Sequence, residues 1–336
     1  MKAATDRLQD WITRLDELGR HREPCFFLMD FEQQAPRVWV VAEEGADQPD
    51  FDFPGRPESR ATPAGLLPVH LTADHVGEED FRRAFAVVQS GLQRGDSFLT
   101  NLTFPTPIRM AGGLEDAYWQ SEAKYRVHWP DRFVCFSPET FVTISPEGYL
   151  ESRPMKGTAL DTPAARSELL TSRKEIAEHA TIVDLIRNDL SQVAGRVRVT
   201  DYRYFHKIAT SSRGLVQTSS KIGGWLSPDW RDRLGSTLAR LLPAGSVSGA
   251  PKPATLDIIR RAETGPRGYY CGIAGYFDGS SLDTCVLIRF IEQTTDGTLL
   301  FRSGGGITAR SNWREEYAEL KAKIRIPTAV TSFSIH

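Results

Sequence analysis

The spacing of apolar residues along the chain predicts where its helices lie. Between residues 78 and 94 an apolar residue recurs every three or four positions, and Gly95 follows directly. This spacing puts the apolar side chains on one face of a helix that ends at the glycine. That face comprises Phe81, Phe85, Val88 and Leu92. Similar patterns predict helices over residues 167–190, 228–241, 252–262 and 313–324.

Short apolar runs bounded by turn residues predict the strands. A pair is predicted over residues 26–31 and 38–42, and strands with short turns follow one another from residue 132 to residue 158. Later strands are predicted over residues 197–204, 214–222, 272–277, 284–293 and 298–304. Because the strands come in runs joined by short turns, we expect mainly antiparallel sheets and an α+β fold.

Composition narrows the classes of function. With 336 residues, of which 40% are hydrophobic and 25% charged, the chain can bury a substantial core. A net charge of -2 provides no general basic field for nucleic acid. No stretch approaches the roughly 18 consecutive apolar residues of a membrane span, and the N-terminus has no apolar signal-peptide core. The four cysteines are isolated, so we expect a cytoplasmic protein with reduced thiols and without nucleic-acid or membrane partners.

Two predicted helices carry similar pairs of glutamates. Glu175 and Glu178 lie three residues apart in KEIAEH, and Glu316 and Glu319 repeat the spacing in EEYAELK. Each pair therefore projects from one helix face. If the two helices meet, four carboxylates converge, and a hard cation such as Mg²⁺ would neutralise them. The alternative is two solvated faces with contacts inside each helix, such as Glu319 with Lys323.

A lysine and a glutamate are candidates for catalysis. Lys156 lies in RPMKGT, after a predicted strand and before a Gly-Thr turn. A lysine held among apolar neighbours can lose its proton and act as a nucleophile, although a lysine in a turn is more often solvated. Glu139, in the turn SPET, could serve as a general acid or base, with a solvated carboxylate as the alternative.

Two glycine-containing segments offer backbone groups to a ligand. The loop PAGSVSGAP over residues 243–251 precedes a predicted helix and could hold an anionic oxygen, but it lacks the Gly-Lys-Ser/Thr ending of a P-loop. The run from Gly304 to Gly306 could let a ligand approach the backbone, or could mark a strand end. Arg289 interrupts an apolar predicted strand, where it needs a ligand carboxylate or an ion-pair partner.

Together these segments resemble the chorismate-utilising enzymes, and most closely the aminodeoxychorismate synthase component I branch. The matching runs follow one another in family order between residues 132 and 324: SPET, RPMKGT, KEIAEHATIVDLIRNDL, LLPAGSVSGAPKPATLDII, RGYYCGIAGY, LIRFIE and SGGGITARSNWREEYAELKAK. The resemblance implies two packed, mainly antiparallel sheets flanked by helices. It also implies one synthase domain over residues 1–336, with a shorter, divergent N-terminal part over 1–110 and the catalytic residues in 132–324.

The resemblance also implies a set of site residues. Glu178 and Glu319 are implied as Mg²⁺ ligands that hold the ring carboxylate of chorismate, with Glu175 and Glu316 nearby or acting through water. Other implied substrate-binding residues are Thr158, Gln217, Ser248, Gly249, Tyr270, Arg289, Gly305, Gly306 and Lys323. Within that set, the enolpyruvyl carboxylate is expected at Arg289 and Tyr270.

Lys156 distinguishes the branches of the family, because similar anthranilate synthases usually carry alanine before that Gly-Thr. By the family mechanism, Lys156 attacks C2 of chorismate as the C4 hydroxyl leaves, and Glu139 protonates the departing oxygen. Ammonia then adds at C4 and expels the lysine, giving 4-amino-4-deoxychorismate for 4-aminobenzoate and folate synthesis. The ammonia is expected from a glutamine amidotransferase subunit or from solution. The alternatives are anthranilate synthase component I and a non-catalytic chorismate-binding subunit.

Three features depart from the family pattern. Leu99 stands where aminating members usually have glutamine and where isochorismate synthases usually have lysine. Gln217 stands where many members have a histidine over the substrate ring, and glutamine cannot titrate. The short N-terminal region also lacks the segment that binds tryptophan in relatives. We therefore expect neither isochorismate chemistry nor feedback control by tryptophan.

Overall fold

Two antiparallel sheets lie face to face in the computed structural model, which describes residues 2–43, 45, 47–56, 62–208 and 214–327. The strands are β1 Cys25–Met29, β2 Arg37–Val40, β3 Asp50–Asp52, β4 His70–Ala73, β5 Leu99–Ala111, β6 Tyr125–Trp129, β7 Phe133–Ser137, β8 Thr140–Ile144, β9 Tyr149–Ser152, β10 Met155–Leu160, β11 Gly195–Ile208, β12 Leu215–Trp225, β13 Gly249–Ala250, β14 Ile273–Phe277, β15 Leu282–Val286, β16 Phe290–Gln293 and β17 Leu299–Ile307. The helices are α1 Lys2–His21, α2 Glu78–Gln93, α3 Leu114–Gln120, α4 Pro163–Thr171, α5 Arg173–Ser191, α6 Leu234–Leu241, α7 Gly245–Ser248, α8 Lys252–Ala262 and α9 Trp313–Ala322.

The first sheet has the strand order β10-β12-β9-β8-β15-β14-β1-β2, and β11 also pairs with β12. The second has the order β13-β5-β17-β16-β7-β6-β3, and β4 also pairs with β5. The strand pairs described in both sheets are antiparallel, and helices flank them. The predicted α+β class with two antiparallel sheets is therefore confirmed. In the described ranges, no helix combines the length and apolar character needed to cross a bilayer.

Aromatic side chains pack between the sheets. Phe26 of the first sheet stacks on Phe51 of the second, with ring centroids 3.9 Å apart. Trp39 meets Trp129 edge-on at 5.3 Å across the same interface. Each of these rings except Trp39 is at most 5% exposed. Truncating one such buried ring to alanine typically costs about 3–5 kcal/mol, so this layer contributes strongly to holding the sheets together.

The predicted strand over residues 284–293 is wrong, because the chain forms two strands in different sheets there. Strand β15 ends at Val286 in the first sheet, and β16 begins at Phe290 in the second. Arg289 makes the turn between them with a φ of 56°, in the left-handed region. Its carbonyl accepts a hydrogen bond from Phe136 N at 3.0 Å, which fixes the crossing point. The apolar run spans both strands because each is buried in its own sheet.

The predicted helix over residues 167–190 is also two elements. Helix α4 ends at Thr171, and α5 begins after Ser172, whose extended ψ of 117° breaks the helix. The Ser172 hydroxyl accepts a hydrogen bond from Glu175 N at 3.3 Å. A serine side chain that caps the next helix competes with continuation of the previous one. The predicted helix over 228–241 likewise becomes a 3-10 turn at Trp230–Arg233 followed by α6.

Strand β5 was not predicted, because Pro105 and Pro107 interrupt its pattern. The prolines lie opposite Arg302 and Leu300 of β17. Thr103, two residues before Pro105, directs its N–H away from β17 and toward Glu263. Pro105 and Pro107 follow Thr103 at intervals of two residues, so their backbone nitrogens also point away from β17. No hydrogen bond from them to β17 is needed, and the strand tolerates the prolines.

Candidate active site

Lys156 lies at an irregularity in the strand that carries it. It is paired with Thr218 of β12, and the register shifts between Lys156 and Thr158. Gly157 between them has a φ of +64°, and the Thr218 hydroxyl donates a hydrogen bond to the Lys156 carbonyl at 2.5 Å. A bulge of this kind re-aims the neighbouring side chain. The expected Gly-Thr turn is therefore a bulge inside β10.

Gly157 also lets β10 approach the helices beside it. A Cβ at this position would lie 2.5 Å from Glu175 Oε2 and 2.6 Å from Leu169 Cδ1. Any larger residue would push β10 away from α4 and α5. Glycine here keeps the Lys156 strand close to one of the two predicted glutamate pairs.

The glycines of β17 face both lysines of the site. A Cβ at Gly306 would lie 3.4 Å from Lys156 Nζ and 3.1 Å from Leu99 Cδ1. A Cβ at Gly305 would lie 3.5 Å from Lys323 Nζ. Each amine therefore lies next to backbone that carries no side chain, as close approach of a ligand requires.

Glu139 follows β7, and hydrogen bonds hold its backbone in place. Its carbonyl accepts from Val286 N at 3.1 Å, and its own N–H donates to Ser137 Oγ at 3.1 Å. Burial raises the pKa of the Glu139 carboxyl. Ser246 opposes that rise most, followed by Lys156 and Lys323. Glu139 thus combines a raised pKa with an electrostatic interaction with Lys156, which suits a general acid.

The two predicted glutamate pairs come together across α5 and α9. Burial raises the pKa of Glu178, and the neighbouring carboxylates of Glu175 and Glu316 raise it further, while Lys156 opposes them. An ion pair of 3.5 Å joins the helices on their exposed side, between Lys174 Nζ and Glu315 Oε2. The carboxylates are therefore close enough to repel one another.

The members of the second pair differ in environment. Glu316 is 8% exposed, and burial raises its pKa. The Glu319 side chain is 56% exposed and pairs with Lys323 Nζ at 2.7 Å. Burial alone would raise the pKa of Glu319, but Lys323, together with Lys156 and Lys174, lowers it, and the net pKa falls. The helix-internal contact considered from the sequence is thus present, and a ligand at Glu319 would have to share it with Lys323.

The donor groups on α5 and α9 determine whether Mg²⁺ fits this site. In the described ranges, no three Asp, Glu, His or Cys side chains already stand as a metal-binding group. Mg²⁺ commonly uses only one or two carboxylates together with water and substrate oxygens. The oxygen donors of half-buried Glu178 and buried Glu316, which repel each other, suit such a shared ion. The Mg²⁺ site stays a prediction.

Arg289, Lys323 and Tyr270 form a linked group beside Glu319, with which Lys323 pairs. Arg289 donates from Nη1 to the Lys323 carbonyl at 3.0 Å, and Lys323 Nζ donates to the Gly304 carbonyl at 2.7 Å. Burial lowers the pKa of Lys323 and that of Arg289, but a guanidinium stays charged in proteins. Tyr270 is 3% exposed, and burial raises the pKa of its hydroxyl, while the nearby charge of Arg289 opposes that rise. These groups suit an anion such as a carboxylate.

Ser248 and Gly249 hold the loop against β5. The Ser248 hydroxyl is fully buried and donates to the Ala244 carbonyl at 2.9 Å. Gly249 has a φ of +128°, and a Cβ there would lie 1.8 Å from the Leu99 carbonyl oxygen. The serine of this loop whose side chain hydrogen-bonds to the Glu139 carboxyl is instead Ser246, which was not predicted as a site residue. The sequence shows two serines in PAGSVSGAP, and only the fold shows which one faces the carboxyl.

Gln217 and Thr158 lie opposite each other on β12 and β10. Gln217 Nε2 donates to Thr158 Oγ1 at 2.9 Å. Both residues therefore adjoin the bulge that carries Lys156. The amide of Gln217 is committed to this hydrogen bond and can orient neighbouring groups without exchanging a proton.

Comparison with known proteins extends this picture. A family model described as chorismate binding enzyme matches residues 18–329. An uncharacterised PabA-like protein of Pasteurella multocida is 47% identical over 322 residues, covering 95% of this chain and 99% of that protein. Aminodeoxychorismate synthase component 1 of Salmonella typhimurium is 30% identical, covering 94% of this chain and 68% of that protein.

A solved structure agrees with the fold. Anthranilate synthase component I of Streptococcus pneumoniae superposes with a TM-score of 0.63 and 28% identity. The match covers 77% of this chain and 60% of that chain. The resemblance inferred from the sequence motifs is confirmed, since the family model spans nearly the whole length. The chain belongs to the chorismate-binding enzymes.

Proposed function

We propose that the protein is the synthase component that converts chorismate and ammonia to 4-amino-4-deoxychorismate, with Lys156 as the covalent nucleophile. The position of Lys156 Nζ beside Gly306 supports this most, because it brings an amine to backbone that carries no side chain. Glu139 nearby has a carboxyl whose pKa burial raises, as the proposed acid needs.

The first step forms the covalent adduct. Neutral Lys156 Nζ bonds to C2 of chorismate, and both conjugated ring double bonds shift, from C1=C2 and C5=C6 to C1=C6 and C4=C5, as the bond from C4 to the hydroxyl oxygen breaks. Glu139 gives its proton to the departing oxygen, which leaves as water. The Lys156 nitrogen then returns a proton to Glu139. Splitting one difficult substitution into two allylic displacements lowers the barrier of each.

The second step releases the product. Ammonia bonds to C4, both double bonds shift back, and the bond between C2 and the Lys156 nitrogen breaks. Glu139 gives its proton to the departing lysine nitrogen and then accepts one from the new ammonium group at C4. The sum is chorismate plus ammonia giving 4-amino-4-deoxychorismate plus water. The enolpyruvyl group stays in place throughout.

The remaining groups bind and orient the substrate. Mg²⁺ held at Glu178 and Glu319, with Glu175 and Glu316 beside them, would supply positive charge to the ring carboxylate. Arg289, Lys323 and Tyr270 would take the enolpyruvyl carboxylate. The nitrogen would come from a glutamine amidotransferase subunit, and the product would serve 4-aminobenzoate and folate synthesis.

A second candidate is anthranilate synthase component I, which the Streptococcus pneumoniae likeness favours. The lysine at position 156 argues against it, because a lyase that expels pyruvate needs no amine there. Mass spectrometry of the products formed from chorismate, Mg²⁺ and ammonium distinguishes the two. An aminated product that keeps the enolpyruvyl group supports the proposal. Anthranilate with pyruvate would replace it, and binding without turnover, even with an amidotransferase present, would indicate a non-catalytic subunit.

A further inference from the structure

The outer edge of β5 next to the glycines has no strand partner over part of its length. On that edge β13 pairs with Leu99 and Thr100, and β4 pairs with residues 108–111. Between these two stretches the described strands leave residues 101–106 unpaired on this side. Buried backbone groups on such an edge need other partners.

Arg267 and Glu263 supply those partners. Arg267 Nη2 donates to the Asn101 carbonyl at 2.7 Å, and Glu263 Oε1 accepts from Thr103 N at 2.8 Å. A neighbouring strand would offer the same alternation of donor and acceptor. The two side chains thus take the place of a strand along this stretch of β5.

The same pair holds the loop that precedes α8. Arg267 Nη1 donates to the Val247 carbonyl at 2.7 Å, between Ser246 and Ser248. The guanidinium also forms two hydrogen bonds to Glu263, from Nε at 2.9 Å and from Nη2 at 2.6 Å. Arg267 is 1% exposed, and the Glu263 side chain is 6% exposed. The buried, forked guanidinium of Arg267 therefore joins β5 to the loop.

Both tethered segments border the site. Asn101 lies opposite Gly306, and Thr103 lies opposite Gly304, in the β5–β17 register. Val247 is next in sequence to Ser246, whose side chain hydrogen-bonds to the Glu139 carboxyl and opposes the rise in its pKa. A buried ion pair is a poor source of stability, because apolar residues of similar volume often stabilise as well. The fork geometry is what apolar residues cannot reproduce.

We propose that Arg267, paired with Glu263, is a positioning residue that fixes the glycines of β17 and the loop 244–249 on the two sides of the cleft. This inference rests on the proposed function for its kinetic consequences. A displacement of about 1 Å in groups that orient a substrate can cost on the order of a hundredfold in rate. Loss of the fork should therefore slow turnover more than it weakens binding.

The test compares Arg267→Lys with Arg302→Lys. The first keeps a positive charge opposite Glu263 but loses the fork. The control alters a similar ion pair further along β17, in which Arg302 Nη2 lies 2.6 Å from Glu292 Oε1. Steady-state kinetics and hydrogen exchange of residues 299–307 are measured for both, well below their melting temperatures.

Arg267→Lys should lower kcat at least about tenfold, leave KM for chorismate within about threefold, and speed exchange at Gly304–Gly306. Arg302→Lys should leave kcat within about twofold. Equal effects of the two variants on kcat and on exchange would overturn the inference. If Arg267→Lys fails to fold, the double variant Arg267→Met with Glu263→Leu replaces it, and wild-type kcat there would also overturn it. If the wild-type protein forms no aminated product, the proposed function fails, and the exchange comparison alone decides the positioning role.

Discussion

Lys156 and Leu99 face each other across Gly306, because a Cβ at that glycine would lie 3.4 Å from Lys156 Nζ and 3.1 Å from Leu99 Cδ1. Leu99 is 4% exposed and offers no hydrogen bond to water. The nucleophile proposed here thus has an aliphatic neighbour where relatives usually have a polar side chain. Leu99 therefore offers neither water nor ammonia a hydrogen bond beside the amine.

Gly306→Ala should lower kcat/KM for chorismate roughly tenfold to a hundredfold, because the added methyl group fills the space between Lys156 and Leu99. Gly195→Ala is the control, since a Cβ there would make an ordinary contact of 3.9 Å with the Trp225 carbonyl oxygen. Steady-state rates of the two variants decide the point. Equal rates would mean that the substrate does not lie over Gly306.

Glu139→Gln should slow turnover by about 10² to 10⁴ times, the usual contribution of a general acid or base. Burial raises the pKa of Glu139, so the wild-type carboxyl keeps its proton to higher pH than a solvated glutamate. Its acid form is therefore lost as the pH rises through that raised pKa, and the rate of adduct formation should fall with it. Glu147→Gln, in the exposed turn after β8, serves as the control. An unchanged pH profile in Glu139→Gln would remove Glu139 from the mechanism.

His179→Gln should flatten the pH dependence of stability. Burial lowers the pKa of His179 from 6.5 to about 4, and Arg203 adds to this. Since the folded pKa lies below the unfolded one, the contribution to stability is complete above pH 6.5 and is lost as the pH falls toward 4. The loss should approach about 1.4 kcal/mol per pH unit in that window.

Urea unfolding at several pH values between these limits measures the slope for His179→Gln and the wild type. His75→Gln, on an exposed histidine, is the control and should keep the wild-type slope. Identical slopes in all three proteins would show that His179 is not held neutral by the fold.

Lys252→Met should destabilise the protein by about 3–5 kcal/mol, because Asp189 would be left as an uncompensated buried charge. Lys252 Nζ lies 3.1 Å from Asp189 Oδ1, and these side chains are 18% and 7% exposed. The double variant with Asp189→Leu should recover most of the loss in a denaturant titration. A loss that persists in the double variant would assign Lys252 a role beyond the ion pair, since its ammonium also donates to the Leu241 carbonyl at 2.8 Å.

The sequence correctly predicted helices that can be recognised from the local spacing of their residues. Helix α2 begins at Glu78 as expected, and the glutamate pairs lie on α5 and α9. The sequence could not predict that the chain turns from one sheet into the other at Arg289. Two consecutive buried strands in different sheets give the same apolar sequence pattern as one long strand. Nor could the sequence tell that Ser248 is committed to the Ala244 carbonyl while Ser246 acts on Glu139.

Long-range pairing explains the other differences. Strand β5 tolerates its prolines because they pair with β17 at positions whose backbone nitrogens point away from β17. The role of Arg267 depends on Asn101 and Val247, which are distant in sequence and meet it only in the fold. Local patterns carry no information about such partners. The roles of the site residues are therefore inferred from the family resemblance together with the distances between their side chains and the backbone of β17.

The measurement that tests the central claim most directly is peptide mass mapping after chorismate and Mg²⁺ are mixed with the protein without ammonia. If Lys156 is the nucleophile, the peptide that contains it should gain the mass of chorismate less one water. Ammonium added before the quench should remove the adduct and release the aminated product, and Lys156→Ala should form neither. An aminated product that appears in Lys156→Ala at the wild-type rate, or a wild-type reaction without any adduct on Lys156, would contradict the account.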